Sequence, residues 1–236
     1  MSADLHARLL DDAALESSSV VANNAMNRLR GLSGVNSYAR ELGFDPYERL
    51  ATILRGNPHA AVRWIDVCCG SGRALLEAED RFATEFPTAD IAITGIDLVN
   101  HFLATPRTPH LRLLTASAAT WHPDAPADLV TCVHGLHYLG DKLAVLTAMT
   151  QWTRPGGSFA ADFDPHAIRN PDGSSAARPV LAELRAAGLT YDRRRRRLSG
   201  TDFRPPNFTA AYLGADDTAG PGYTGQHAVT SYYDFG

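Results

Sequence analysis

Between residues 62 and 164, short apolar runs alternate with longer amphipathic segments, and this alternation restricts the fold more than any other feature. Each run is nearly continuous in apolar residues, which is typical of a strand buried on both faces of a parallel sheet. The longer segments have apolar residues at three- and four-residue spacing, which predicts helices. The pattern therefore predicts an α/β fold with a doubly wound, mostly parallel sheet. Strands are predicted at residues 62–67, 91–96, 111–115, 129–133 and 158–163, and helices at 73–86 and 141–152.

The segments that flank this region differ from it. Residues 1–58 have helical apolar spacing interrupted by glycines, which predicts several short helices. After the fifth predicted strand, a further helix is expected at residues 176–187. Extended stretches are expected at 189–199 and 207–213, before a tail rich in Gly, Thr and Tyr.

Composition and charge exclude several classes of protein. The chain is 44% hydrophobic and 20% charged, and it has no apolar run near the ~18 residues that span a bilayer. We therefore expect a cytoplasmic protein with no membrane partner. The net charge of −4 gives no attraction to phosphate backbones, so no nucleic-acid partner is expected. The three cysteines have neither a disulfide pattern nor the C-x-x-C spacing of a zinc site, so no metal is predicted.

A glycine-containing loop follows the first predicted strand. Gly70 and Gly72 come directly before a predicted helix, where they allow a tight turn and let a ligand lie against bare backbone. Asp97 ends the second predicted strand, and its carboxylate can accept hydrogen bonds from both hydroxyls of a ribose. The pattern indicates a nucleotide site. The alternative interpretations are a plain turn before a helix and a solvated aspartate.

The loop, the acid and the strand order resemble those of class I S-adenosylmethionine-dependent methyltransferases. The first strand of that family is followed by a motif of roughly D-x-G-x-G-x-G, in which Cys68 here replaces the first glycine. The family often has an aspartate that meets the adenine amino group, and Ser117 stands in its place. The resemblance covers roughly residues 60–165. It implies S-adenosylmethionine as cofactor, with these binding residues: Asp66, Cys68, Gly70, Gly72, Asp97, Leu98, Ser117 and Val133.

The loop after the fourth predicted strand faces the methyl group in the resembled fold. It contains His134, His137 and Tyr138. A base is needed when the acceptor is a phenol or alcohol whose proton must leave, and histidine titrates near neutral pH. We predict His137 as the base, because Leu136 is expected to point into the core and His137 away from it. His134 and Tyr138 are the other candidates, and helix capping or core packing is the alternative for either histidine.

Three further features bear on the class of enzyme. The Asp/Asn-Pro-Pro-aromatic sequence of enzymes that methylate amino groups of bases is absent here, and a metal-dependent catechol enzyme would be expected to have an aspartate where His134 stands. Asp162 and Asp164 are candidates for substrate contacts or for turn residues. The arginine run 193–197 is predicted to be a solvated surface or strand edge.

The resemblance also implies a domain organisation. Residues 1–58 would form a helical lid or cap, and residues 59–236 the methyltransferase domain with a C-terminal segment that covers the substrate. A homodimer interface is the alternative role for the covering segments. Five polar or aromatic residues of the predicted lid are Asn23, Asn24, Asn27, Arg28 and Tyr38.

The sequence therefore predicts transfer of a methyl group from S-adenosylmethionine to a small-molecule acceptor. Oxygen is favoured over nitrogen or carbon, because of His137. Lys142 is the only lysine among 22 basic residues, which is typical of a GC-rich genome and indicates a bacterial source. We expect a role in bacterial specialised metabolism. One alternative is a noncatalytic protein that binds S-adenosylmethionine. Another is a nicotinamide-dependent oxidoreductase, whose G-x-G-x-x-G motif is incomplete because Leu75 stands in the third position.

Overall fold

The helices and strands follow the predicted alternation. A computed structural model describes residues 8–22, 29–223 and 225–236. The helices are α1 (Asp12–Glu16), α2 (Ser19–Ala22), α3 (Tyr38–Leu42), α4 (Pro46–Gly56), α5 (Arg73–Glu85), α6 (Lys142–Gln151) and α7 (Ala177–Ala186). The strands are β1 (Ala61–Val67), β2 (Asp90–Asp97), β3 (Leu111–Thr115), β4 (Ala127–Cys132), β5 (Thr153–Asp162), β6 (Ile168–Arg169), β7 (Thr190–Asp192), β8 (Arg197–Gly200), β9 (Ala211–Asp216) and β10 (Thr230–Asp234). Short 3₁₀ helices occur at Gly135–Tyr138 and Pro165–Ala167.

The sheet topology confirms the predicted fold class. In the described part of the chain, seven strands form a sheet in the order β3-β2-β1-β4-β5-β8-β7. Strands β1 to β5 pair in parallel, and β8 and β7 extend one edge in antiparallel pairing. Because β2 lies on one side of β1 and β4 on the other, the winding of the chain reverses between β1 and β4. In open α/β sheets, ligands bind at such a reversal.

The predicted and observed elements differ most in β5. The fifth strand was expected to begin at residue 158, but β5 begins at Thr153 and includes residues 154–157. Its pairing with β4 jumps from Ala127↔Thr153 to Leu129↔Ser158, so these residues form an irregular bulge inside the strand. The expected extended stretch at 189–199 is a hairpin of β7 and β8. The stretch expected at 207–213 becomes a strand only from Ala211.

Apolar side chains cover both faces of the sheet, as the nearly continuous strand runs require. On β1, Trp64 packs in one buried cluster and Ile65 in another, because successive side chains point to opposite faces. Helix α4 contributes Tyr47, Leu50 and Leu54 to the cluster around Trp64, and all three are at most 1% exposed. This part of the predicted lid therefore packs as core against the sheet.

Residues 8–22, here called the N-terminal strap, pack against the C-terminal strands instead. Leu10 and Ala215 exchange two backbone hydrogen bonds, of 2.8 and 2.9 Å. Leu15 is 1% exposed and packs with Ala215 and Val229. The two ends of the chain thus form one covering layer. None of the helices in the described ranges is both long and apolar enough to cross a bilayer.

Candidate functional site

An open cavity of about 900 Å³ lies where the winding reverses, at the carboxyl ends of β1, β2 and β4. The N-terminal strap forms part of its wall through Asp12, Leu15, Glu16 and Val21. The cavity thus combines the predicted strand ends with a cover supplied by the start of the chain. Seven of the predicted site residues line it: Cys68, Gly70, Asp97, Leu98, Val133, His134 and Tyr138.

The loop after β1 has left-handed backbone at alternate residues. Cys68, Gly70 and Gly72 have φ angles of 58°, 61° and 71°. For Cys68 this conformation costs about 1–3 kcal/mol. The loop lies close against Gly135, where a Cβ atom would come within 2.3 Å of the Cβ of Cys68. Glycine at position 135 is therefore required by the approach of the two strand ends.

Gly72 lies outside the cavity wall, and its predicted contact with the cofactor stays a prediction. It caps the N-terminus of α5, and a Cβ atom there would come within 2.9 Å of a methyl group of Leu113. A side chain at Gly72 would therefore strain the turn and crowd Leu113.

Asp97 lies at the end of β2 and points to the loop. Its Oδ2 accepts a 2.8 Å hydrogen bond from the amide of Gly70, and its Oδ1 accepts one of 3.2 Å from the amide of Val99. A carboxylate has about four acceptor positions, so both oxygens can accept further bonds from a ligand. The loop after β1 and Asp97, which were both predicted to bind the cofactor, are therefore in direct contact.

Asp66 was predicted to bind the cofactor, but it lies beneath the loop and is fully buried. Tyr38 donates a 2.7 Å hydrogen bond to its Oδ2, and Thr131 donates one to its Oδ1. The indole of Trp64 in turn donates to Thr131, at 2.8 Å. Burial raises the pKa of Asp66 to about 7, although both donors oppose the rise. Asp66 therefore ties the sheet to α3.

His137, predicted as the base, is also turned away from the cavity. Its ring is 5% exposed, and Nε2 lies 3.2 Å from the hydroxyl of Tyr223. Burial and nearby positive groups lower its pKa to about 3, so the imidazole stays neutral at physiological pH and is a weak proton acceptor. The 3₁₀ helix rotates its residues differently from the expected turn, which brings Tyr138 to the cavity wall instead.

Ser117 is engaged by the strap rather than exposed to a ligand. Its hydroxyl donates a hydrogen bond to a carboxylate oxygen of Glu16 and accepts one from the amide of Ala119. Glu16 lines the cavity, whereas Ser117 lies behind it. No local pattern indicates a role for Glu16, because it lies 101 residues before Ser117 in the chain.

Glu41, His134 and Asp162 meet beside the cavity and are here called the carboxylate–histidine cluster. Nε2 of His134 lies 3.5 Å from Oε2 of Glu41 and 3.6 Å from Oδ2 of Asp162. Burial raises the pKa of Asp162 to about 6, and the imidazole lowers the pKa of Glu41. His134 was a predicted candidate base and Asp162 a predicted substrate contact. Glu41 was missed, since nothing in a short helix before the first strand indicates where it packs.

The arginine run is only partly the solvated surface that was predicted. Residues 193–195 are exposed, but Arg196 forms a 2.8 Å ion pair with Asp164, and its Cζ lies 4.2 Å from the ring centre of Tyr223. Arg197 donates to the carbonyl of Glu41, at 3.3 Å. The hairpin turn therefore fixes α3 and the segment around Tyr223. Of the predicted lid residues, Tyr38 is the buried partner of Asp66, and Asn23, Asn24, Asn27 and Arg28 lie outside the described residues.

Comparison with known proteins identifies relatives of this chain. A family model described as a methyltransferase domain matches residues 35–196. Trans-aconitate 2-methyltransferase of Agrobacterium fabrum (strain C58 / ATCC 33970) is 31% identical over 108 residues, which cover 45% of this chain and 40% of that protein. The chain thus spans less than half the length of this relative.

Solved structures give similar matches. CalS10, an amino pentose methyltransferase from Micromonospora echinaspora solved with S-adenosylmethionine, is 27% identical over 57% of this chain and 56% of its own, with a TM-score of 0.36. A methyltransferase from Thiobacillus denitrificans in complex with S-adenosylhomocysteine is 26% identical, with a TM-score of 0.35, over 48% of this chain and 47% of its own.

The buried carboxyl of Asp66 should make stability fall as pH rises. A raised pKa means that the folded state keeps a proton that the unfolded chain has lost, so the free energy of unfolding decreases between pH 4 and 7. A pKa of about 7 instead of 3.8 corresponds to roughly 4 kcal/mol. In urea unfolding, the free energy of unfolding of the wild type should therefore fall relative to that of Asp66→Asn between pH 4 and 7, because the Asn side chain does not titrate. Asp90→Asn, at an exposed aspartate, is the control, and parallel curves for Asp66→Asn would contradict the assignment.

The imidazole of His137 should stay neutral across the physiological range. Nuclear magnetic resonance of ring-labelled histidines, with His137→Gln to assign the signal, should show no titration of His137 between pH 5 and 8, because its pKa is about 3. A midpoint within that range would return His137 to the list of bases.

Proposed function

The chain belongs to the methyltransferase domain family, and we propose that it transfers a methyl group from S-adenosylmethionine to a small-molecule acceptor. The observation that carries this proposal is the pairing of the loop after β1 with Asp97 at the edge of the cavity. An acid in this position suits the two ribose hydroxyls of the cofactor, and the open backbone of the loop suits its amino-acid part.

We propose that the adenine of the cofactor binds near Leu98 and Ala118, two apolar residues that line the cavity. Because Ser117 already donates to Glu16, we assign the contact with the adenine amino group to the Glu16 carboxylate. A carboxylate is acceptor-only, and it therefore complements the two N–H donors of that amino group. The strap would then take part in cofactor recognition.

In this reaction the main role of the protein is to align the acceptor with the methyl group of the cofactor. A lone pair of the acceptor attacks the methyl carbon, the bond from that carbon to sulfur breaks, and S-adenosylhomocysteine leaves. Holding the acceptor in line with the sulfonium removes much of the entropic barrier. The strap, which forms part of the cavity wall, would help to exclude water. His134 and Tyr138, which line the cavity, are the proposed acceptor contacts, and His137 is withdrawn from this role.

We keep oxygen as the proposed acceptor atom, in bacterial specialised metabolism. The support is the polar wall formed by His134 and Tyr138, since an oxygen acceptor must be oriented and must lose a proton. The methyltransferase relative is named for trans-aconitate, an acid with oxygen acceptors, whereas CalS10 is named for an amino sugar. Location in the cytoplasm and a homodimer stay predictions.

Two other functions make different demands on the same residues. A noncatalytic S-adenosylmethionine-binding protein would need Asp97 and the loop but no acceptor, so methyl transfer to a panel of small acids, phenols and amino sugars separates it from an enzyme. A nicotinamide-dependent oxidoreductase would bind a dinucleotide, and the family match argues against it.

Replacing Asp97 should weaken cofactor binding. Hydrogen bonds to a charged group each contribute about 1.5–3 kcal/mol, so Asp97→Asn should raise the Kd for S-adenosylhomocysteine at least tenfold in calorimetry. Asp90→Asn is the matched control, because Asp90 is exposed at the opposite end of the same strand. Unchanged affinity in Asp97→Asn, or tight binding of NADP by the wild type, would contradict the cofactor assignment.

Replacing Glu16 should affect recognition of the adenine amino group selectively. The wild type should prefer S-adenosylhomocysteine over S-inosylhomocysteine, in which a carbonyl replaces that amino group. Glu16→Gln should reduce the preference about tenfold or more, since it removes the charged acceptor. Glu77→Gln, at a residue that the cavity wall does not include, serves as the control. An equal loss of affinity for both ligands would place Glu16 outside the adenine site.

A further inference from the structure

The carboxylate–histidine cluster brings together three side chains that sequence spacing does not connect. Glu41 comes from α3, His134 follows β4, and Asp162 ends β5. One ligand-type atom from each residue lies within 4.8 Å of the other two. We infer that this cluster is a binding site for a divalent transition metal ion, with Zn²⁺ as the ion that its geometry fits best. The inference concerns metal binding and does not rest on the proposed methyl transfer.

The distances between the ligand atoms favour zinc. Zn²⁺ binds histidine nitrogen and carboxylate oxygen at about 2.0–2.2 Å in tetrahedral geometry, which separates neighbouring ligand atoms by roughly 3.3–3.6 Å. Nε2 of His134 lies 3.5 and 3.6 Å from the carboxylate oxygens of Glu41 and Asp162. Their oxygens lie within 4.8 Å of each other, so the two carboxylates need only a small movement. The Glu41 side chain is 28% exposed against 2% for Asp162, so Glu41 is the less tightly packed of the two.

The burial of His134 and its lack of side-chain hydrogen bonds support a cation site. Its side chain is 8% exposed, and in the described part of the chain neither ring nitrogen has a hydrogen-bond partner. Buried polar atoms are nearly always hydrogen-bonded, so an imidazole that has no such bond and is aimed at two carboxylates favours a site for a cation among the three groups. The backbone amide of His134 donates to Asp162 at 3.1 Å, which holds that carboxylate in place.

The charges around the cluster are consistent with one divalent ion. Two carboxylates balance its charge, and a metal removes their mutual repulsion in a buried site. The basic residue Arg30 also pairs with Glu41, but its Nε lies 3.5 Å from Oε1, whereas Oε2 is the oxygen near His134. Oε2 therefore remains available for the ion.

The position of the cluster beside the cavity would allow a bound ion to act on the acceptor. His134 forms part of the cavity wall, so an ion held there would lie beside the proposed acceptor space. Three protein ligands leave a fourth position on zinc for water or for an oxygen of the acceptor. Coordination lowers the pKa of a bound hydroxyl, which would suit an oxygen acceptor.

The test is metal binding by the purified full chain, with no cofactor present. After treatment with a chelator and its removal, titration with Zn²⁺ in a calorimeter should show one ion bound per chain. Titration with Co²⁺ should give the visible absorption of a tetrahedral site. Glu41→Gln and Asp162→Asn should each weaken Zn²⁺ binding at least tenfold, and His134→Gln should do the same.

Controls separate a site from chance binding and from misfolding. His166→Gln changes an exposed histidine and should bind Zn²⁺ like the wild type. Glu41→Gln is the variant least expected to disturb folding, and circular dichroism with thermal melting checks each protein. Asp97→Asn should lose affinity for S-adenosylhomocysteine but keep its affinity for Zn²⁺, so failure of the cofactor proposal and failure of the metal site give different results. Absence of stoichiometric binding, or binding unaffected by both carboxylate variants, would overturn the inference.

Discussion

The hydrogen bonds of the buried Asp66 carboxylate hold together the elements on which the site depends. Tyr38 ties α3 to this carboxylate, and Thr131 ties β4 to it. Because α3 is fixed at the carboxyl end of the sheet, Glu41, which follows Tyr38 by three residues, comes within 3.5 Å of His134. A carboxylate so deeply buried is costly, and the donors on either side offset part of that cost. The same residue that the family motif presents as a ligand contact therefore acts here as the anchor beneath the site.

A second constraint is the close approach of the strand ends above Asp66. Gly135 allows the loop after β1 to lie against the turn after β4, and both segments have left-handed backbone, at Cys68 and at His134. Such residues persist only where their surroundings fix them, and they often occur at functional sites. This left-handed backbone holds His134 in one orientation, beside the cavity and beside Asp162. A wall fixed in this way has little to reorganise when a ligand binds.

The sequence predicts the features of this protein that follow from local periodicity. The five parallel strands are found near their expected positions, since buried strands need continuous apolar runs, and Asp97 lies at its expected strand end. The errors occur where distant segments decide the outcome. His137 was placed from the expected alternation of a loop, but a 3₁₀ helix and the hydroxyl of Tyr223 set its orientation. Glu16 and Glu41 have no local signal at all, because their partners come from segments far along the chain.

The N-terminal strap is the part of the cavity wall that is least firmly built into the fold. Helix α1 has only five residues, too few to be stable alone, so its structure depends on Leu15 and on the backbone pairing of Leu10 with Ala215. Hydrogen bonds from Asp141 to Asp12 and from Ser117 to Glu16 add to this packing. A short segment at the surface still opens at a lower free energy than the sheet beneath it. The Glu16 carboxylate lies on this segment and on the wall of the cavity, so a ligand that contacts Glu16 would stabilise the strap in its packed position.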